Sequence, residues 1–197
     1  MKNFLKAAAG VVCVILCAAA APVDTVKLQE SGGARVGGAA PSFGGWDLQG
    51  KKVLTLDAIR RTPTMSPLLV TFGASWCTAC AAGLPRLKAL STKHPEMRLV
   101  LIDVESDSAK AQEWAGKMGI DGPAILDKFE QIAKTYGVSG SVEDGKQTTS
   151  LPRTFLVDSM GKVRAIYREE GRDLETVIEA DLEAAKNPVR PASTDAR

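Results

Sequence analysis

The sequence predicts an α/β domain, a mixed central sheet with helices on both faces. Three observations carry that expectation. Residues 68–72 are an apolar run bounded by Pro67 and Gly73, the pattern of a strand buried on both sides. Two further strand-like runs, 98–104 and 124–126, each follow a helical pattern, as parallel strands joined by helical crossovers do. The pattern then closes with two strand-like segments around a short turn and an amphipathic helix, which adds antiparallel strands at one side.

Taken in order, residues 43–48 and 52–56 read as a short strand pair around Gln49-Gly50-Lys51, and 57–61 as a helical turn. Pro63 and Pro67 break the chain before the central strand. From Cys77 a helix carries Leu84, Leu87 and Leu90 along one side. Gly83 and Pro85 lie inside it, and an interior proline predicts a kink. His94-Pro95 ends this helix, with His94 as a solvated terminus. After strand 98–104, Ser106-Asp107-Ser108 supplies an N-cap for a helix running to Met118 and closed by Gly119.

Residues 128–136 read as a second short helix, and 139–150, polar and Gly-containing, as a loop. Residues 154–157 and 163–167 pair as a hairpin. The final helix, 173–186, turns Leu174, Val177, Ile178, Leu182 and Ala185 inward. Trp46 and Trp114 are expected to pack in the core or at an edge, and Arg153 to be solvated.

The flanks differ in kind. Lys2 and Lys6 precede fifteen small or apolar residues, 7–21, short of the ~20 that a membrane-spanning helix needs. Residues 1–21 therefore read as an export signal ending in four alanines, or as an anchor if it is retained. Lipidation at Cys17 is disfavoured, because Leu16 stands where such signals carry a small residue. Residues 22–40 read as a flexible Gly- and Ala-rich linker, 41–186 as the folded domain, and 187–197 as a disordered tail.

The chain holds 25 basic and 23 acidic residues; without Lys2 and Lys6 the two are equal at 23. A near-neutral domain argues against a nucleic-acid partner. Of four cysteines, Cys13 and Cys17 fall in the export segment, which leaves Cys77 and Cys80 for the fold. That is the cysteine usage of redox chemistry rather than of a disulfide-stapled scaffold. The spacing puts Cys77 at a helix start, where partial positive charge and free N–H groups favour a thiolate. Cys77 is thus the candidate reactive thiol and Cys80 the resolving one. Two small buried residues, or half of a zinc site, are the alternatives. A metal reading lacks ligands, since His94 is the sole histidine.

With Trp76-Cys77-Thr78-Ala79-Cys80 on a strand-to-helix turn, the chain resembles the thioredoxin superfamily, and within it the exported TlpA/ResA-like thiol–disulfide oxidoreductases. The likeness runs over about residues 41–186. It includes Pro41-Ser42-Phe43, Gly50-Lys51-Lys52, Pro85, the block from Ala124-Ile125-Leu126-Asp127 to Tyr136-Gly137-Val138, and Leu151-Pro152-Arg153-Thr154. The resemblance implies a thioredoxin fold with an N-terminal strand pair and a strand–helix insertion. It implies a cis Pro152 facing Cys77, a Leu151 backbone that pairs with substrate, and Trp76 and Thr78 at the substrate rim.

The implied activity is exchange with protein disulfides or thiols, in the reducing direction outside the cytoplasm, notably in cytochrome c maturation. The implied enzyme is a monomer with no cofactor beyond the Cys77–Cys80 pair, reset by a membrane thiol-redox partner. A binding module with idle cysteines, and an oxidase or isomerase using the same chemistry, are the rival readings. A peroxidase reading fits poorly, because that branch lacks a CxxC. The chain departs from the family at three places. Thr71 replaces a buried acid, Gly83 replaces a glutamate, and the stretch between Val138 and Pro152 is long. The first two departures predict slow resolution by Cys80; the third predicts a partner-selecting loop.

Overall fold

The computed structural model describes residues 33–143, 146–168 and 173–186. The expected export segment 1–21, most of the linker and the tail 187–197 lie outside the described residues. Among those described, no helix is long and apolar enough to cross a membrane.

The chain opens with an antiparallel pair, β1 (Gly44–Trp46) and β2 (Val53–Thr55), and then α1 (Leu56–Arg61). The Asp47 carboxylate closes the β1–β2 turn by accepting the Lys51 N–H at 2.7 Å, and Thr55 Oγ1 caps α1. Next come β3 (Leu68–Gly73), α2 (Thr78–Lys93), β4 (Arg98–Asp103), α3 (Ser108–Lys117) and β5 (Ala124–Leu126). After α4 (Gln131–Tyr136), a separate pair, β6 (Ser139–Glu143) and β7 (Lys146–Thr149), precedes β8 (Arg153–Val157), β9 (Val163–Tyr167) and α5 (Leu174–Lys186).

The main sheet runs β5-β4-β3-β8-β9, with β3, β4 and β5 parallel and β8 antiparallel to both of its neighbours, β3 and β9. This is the expected mixed sheet with helices on both faces. Every residue of β3 is buried, because alternate side chains feed two separate cores. Leu69 packs with Leu84, Leu87 and Leu90 of α2, Trp114 of α3 and Ile178 and Leu182 of α5. Leu68, Val70 and Phe72 pack with Ile59 of α1, Ile132 and Tyr136 of α4, and Phe155. Phe72, Tyr136 and Phe155 form a cluster with ring centroids 5.0–5.7 Å apart, within the range of favourable edge and tilted contacts. The buried Tyr136 hydroxyl donates to Pro41 O at 2.9 Å.

Several expectations need correction. Residues 33–40 are not a free linker: Gly37 and Ala40 donate to Val163 O and Gly161 O, and Val163 donates back to Gly38 O. Their small side chains serve close approach. A Cβ on Gly33 would lie 2.9 Å from backbone atoms of Tyr136 and Gly137. Residues 139–150 are not a loop but mostly the β6–β7 hairpin, whose β-branched Val142, Thr148 and Thr149 flank an Asp144-Gly145 turn signal. Helix α4 starts at Gln131 rather than 128, since the Asp127 carboxylate accepts the N–H groups of Gln131 and Ala133, both at 2.8 Å. Trp114 is buried as expected, whereas Trp46 is 57% exposed on β1. Arg153, expected in solvent, is buried.

His94 is also no solvated terminus. Its ring sits between Glu96 and Glu179, 3.3 Å from each, with the side chain 16% exposed. Lys186 of α5 reaches Glu96 at 2.6 Å, and Lys93 reaches Glu179 at 2.6 Å, so the cluster ties the ends of α2 and α5. The Lys186 ammonium, with help from a backbone hydrogen bond and from His94, holds the Glu96 carboxyl down at about 2. A depressed carboxyl adds stability above its ordinary value of 4.5, and loses it as pH falls toward 2. Lys186→Ala should therefore cause a small, salt-sensitive loss of thermal stability at pH 7. The difference from the native chain should close by about pH 2, read from melting curves across that range.

Candidate active site

The candidate site lies where β3 ends and α2 begins. Gly73 and Ala74 leave the strand buried, and the Cys77 N–H donates to Ala74 O at 3.1 Å, folding the connection into a tight turn. Cys77 is the N-cap of α2, and its sulfur accepts the Cys80 N–H at 3.1 Å. Cys77 and Cys80 are joined by a disulfide, S–S 2.07 Å, with 7% and 4% of their surfaces exposed. Trp76 is 57% exposed, and Thr78 and Ala79 are also exposed. The pair is thus nearly buried beneath an exposed rim. The first turn of α2 holds no acid, so nothing there offsets the positive end of the helix.

The Leu151–Pro152 peptide bond is cis, the geometry the resemblance implied. Pro152 lines a cavity of about 10 Å³ with Cys80, Thr71, Gly73, Leu84 and Trp114, so the structure brings the proline to Cys80. Leu151 beside it is half-buried. Thr71, at the place of the family's buried acid, accepts a hydrogen bond from the Thr154 hydroxyl at 2.9 Å in a buried setting. Gly83 is buried as well. A side chain at Gly73 would have to displace the Trp114 ring: a Cβ there would lie 2.9 Å from Trp114 Cη2, and 3.6 Å from Cys80 Sγ.

Two carboxylates that sequence reasoning missed lie at the same end of the sheet. Asp103 closes β4 with no exposed surface, and Glu105 follows at 5%. Asp103 Oδ1 accepts the Glu105 N–H at 2.9 Å. Glu105 in turn accepts from the Ser75 hydroxyl and, at 3.1 Å, from the Ser106 N–H. Burial pushes the Asp103 carboxyl up to about 6, and the charge of Glu105 adds to the rise. The available signal was an acid closing an apolar run, Leu99 to Ile102, followed two residues later by another. Among the described residues, no cluster of three or more His, Cys, Asp or Glu side chains could hold a metal ion.

Comparison with known proteins gives this arrangement its relatives. The AhpC/TSA family profile matches residues 36–166. Thiol-disulfide oxidoreductase ResA of Bacillus thuringiensis is 28% identical over 131 residues, which span 66% of this chain and 67% of the relative. The thiol:disulfide interchange protein DsbE homolog of Paracoccus denitrificans is 32% identical over 139 residues, spanning 70% and 68%. Among solved structures, a Chlorobium tepidum protein described as a thiol:disulfide interchange protein DsbE superposes with a TM-score of 0.64 at 22% identity, covering 77% of this chain and 98% of that one. Peroxidoxin BcpB of Mycobacterium tuberculosis also scores 0.64, at 20% identity, covering 80% and 99%. Likeness at that identity establishes the thioredoxin fold alone, which peroxidases and disulfide exchangers share. The family match, the sequence relatives and the Cys77–Cys80 pair agree: this chain belongs to the AhpC/TSA family of the thioredoxin superfamily, and it is a thiol–disulfide oxidoreductase of the ResA/DsbE type.

Proposed function

We propose that the protein is exported and reduces disulfides of proteins outside the cytoplasm, those of cytochrome c maturation among them. The observation that carries the reading is the Cys77–Cys80 pair at the start of α2 with the cis Leu151–Pro152 bond beside it. Cys77 is the attacking group. At the N-cap its sulfur accepts a backbone N–H, and that contact stabilises a thiolate more than a thiol.

The Cys77 thiolate attacks one sulfur of a substrate disulfide. The substrate S–S bond breaks, a mixed disulfide forms, and the first substrate sulfur leaves as a thiolate. Cys80 then gives up its proton and attacks Cys77; the mixed disulfide breaks and the second substrate sulfur departs. The substrate gains two electrons and the cysteine pair loses them. A membrane-bound dithiol partner returns the pair to its reduced form, and no other cofactor is required. The enzyme acts as a monomer. Trp76 and Thr78 supply the exposed rim that a substrate chain meets, and the Leu151 backbone pairs with that chain beside Pro152.

The β6–β7 hairpin selects the partner. It leads directly into Leu151, and the Thr149 hydroxyl donates to Glu130 at 2.7 Å, which ties the hairpin to the loop after β5. That loop follows the end of a parallel strand, the same end of the sheet at which Cys77 lies.

Three outcomes test these assignments. In reduced protein at neutral pH, iodoacetamide should label Cys77 well ahead of Cys80, scored by peptide mass; equal rates or the opposite order would remove the assigned roles. Residues 1–40 fused to a reporter active only after export should carry it across a bacterial inner membrane, and a purely cytoplasmic signal would overturn the localisation. Shortening 139–149 to a few residues, with Leu151-Pro152 kept, should leave insulin reduction near the native rate. Exchange with native partners trapped by Cys80→Ser should fall at least about tenfold, whereas equal survival of both activities would make the hairpin irrelevant to selection.

A further inference from the structure

The closing step needs a group that takes the Cys80 proton, and neither Thr71 nor Gly83 supplies one. We infer that Asp103 is that proton acceptor, a buried carboxylate on the neighbouring strand whose protonation is coupled to that of Cys80. The inference rests on the assignment of Cys77 as attacking thiol and Cys80 as resolving thiol.

The placement follows from register. β3 and β4 are parallel, with Gly73 paired to Asp103. Register partners on adjacent strands send their side chains to the same face, at a spacing of about 4.8 Å. On this face Leu69, Leu99 and Leu101 meet α2, and a Cβ on Gly73 would lie 3.6 Å from Cys80 Sγ. Asp103 therefore lies one strand from Cys80 on the α2 side. Because residue 73 is glycine, no side chain of β3 stands between them. The edge of the Trp114 ring lies against the same point of Gly73, 2.9 Å from where a Cβ would be.

Other acids near this end of the sheet are already engaged. Glu105 accepts through both oxygens, from Ser75 and Ser106. Asp127, whose own N–H donates to Asp103 O, spends both carboxylate oxygens on the start of α4. Asp103 alone among the described carboxylates has a buried oxygen, Oδ2, without a hydrogen-bond partner. Trp114 Nε1 on the same face is buried and unpartnered too. On the same face of the sheet lie Gly73 of β3, Trp114 of α3 and Cys80 of α2, and Glu105 donates its N–H to Asp103 and adds its charge there. The buried Arg153 pairs in register with Phe72 and so lies on the opposite face.

An anion in that setting, facing a second carboxylate, gains by taking up a proton. Its raised value near 6 lets it be ionised at neutral pH and still accept the thiol proton as Cys80 attacks. The proton passes from Cys80 to the Asp103 carboxylate while the Cys80–Cys77 bond forms and the Cys77–substrate bond breaks. When the partner dithiol re-reduces the pair, the proton returns from Asp103 to the Cys80 thiolate.

The test uses the full chain with Cys13→Ser and Cys17→Ser, reduced and mixed with 5,5′-dithiobis(2-nitrobenzoate). The first thionitrobenzoate released reports attack by Cys77; the second, independent of reagent concentration, reports resolution by Cys80. Asp103→Asn should leave the first phase at its native rate, slow the second at least about tenfold at pH 7, and abolish the bend of its pH profile near 6. A second phase that keeps both its rate and its bend would overturn the inference. Loss of the first phase in the native chain, or its persistence in Cys77→Ser, would instead overturn the underlying cysteine assignment. Should Asp103→Asn fail to fold, carbon-13 titration of the Asp103 carboxyl in the native chain decides. Different midpoints in the reduced and oxidised forms support the coupling, and a common midpoint refutes it.

Discussion

The constraint on which the rest depends is the burial of β3 on both of its faces. Six consecutive residues, Leu68–Gly73, have essentially no solvent contact, and each large apolar side chain among them contributes roughly 1.5–3 kcal/mol only if something covers it. One face therefore requires α2, α3 and α5, and the other requires α1, α4 and the aromatic cluster around Tyr136. A strand so enclosed must sit mid-sheet. The parallel pairing to β4 and the antiparallel pairing to β8 meet that requirement from either side.

Central placement also makes the end of β3 a good place for chemistry. The strand cannot shift without disturbing two cores, so the turn after Gly73 holds Cys77 at a fixed point, and α2 must start where the turn releases it. Helix dipole, free N–H groups and sulfur then meet with little local adjustment. Pro152 precedes β8, the antiparallel neighbour of β3, which is why a residue 72 positions after Cys80 lines the same cavity. Both halves of the site thus hang from one strand.

Polar groups at this end of the sheet obey the same enclosure. Thr71, Asp103, Glu105, Arg153 and Thr154 are all buried, and each sits on or directly after a strand of the main sheet. Thr71 and Thr154 satisfy one another across β3 and β8, the low-cost way to bury a polar side chain. Asp103 is held less completely, by one backbone N–H, beside a second carboxylate. Enclosure that stabilises the hydrophobic layers is what makes this carboxylate easy to protonate.

By itself, the sequence determined whatever depends on neighbours along the chain. The apolar run of β3, the leucine spacing of α2, the Asp107 cap of α3 and the terminal hairpin are local patterns, and the structure follows them. The CxxC at a strand-to-helix turn was equally legible, because helix-start chemistry needs nothing from afar. Tertiary structure decided whatever depends on remote partners. Residues 33–40 are ordered by hydrogen bonds to the turn before β9 and its first residue, more than 120 positions away, which a Gly-rich composition cannot foretell. The β6–β7 pair carries little apolar alternation, so its turn dipeptide was the main hint of it. His94 is enclosed because α5 lays Glu179 and Lys186 against the end of α2, and Arg153 because β8 lies inside the sheet. Asp103 is the sharpest case. A lone acid at a strand end is ordinary in sequence, and only the register with Gly73 puts it one strand from Cys80, since a side chain's solvation is set by what folds over it.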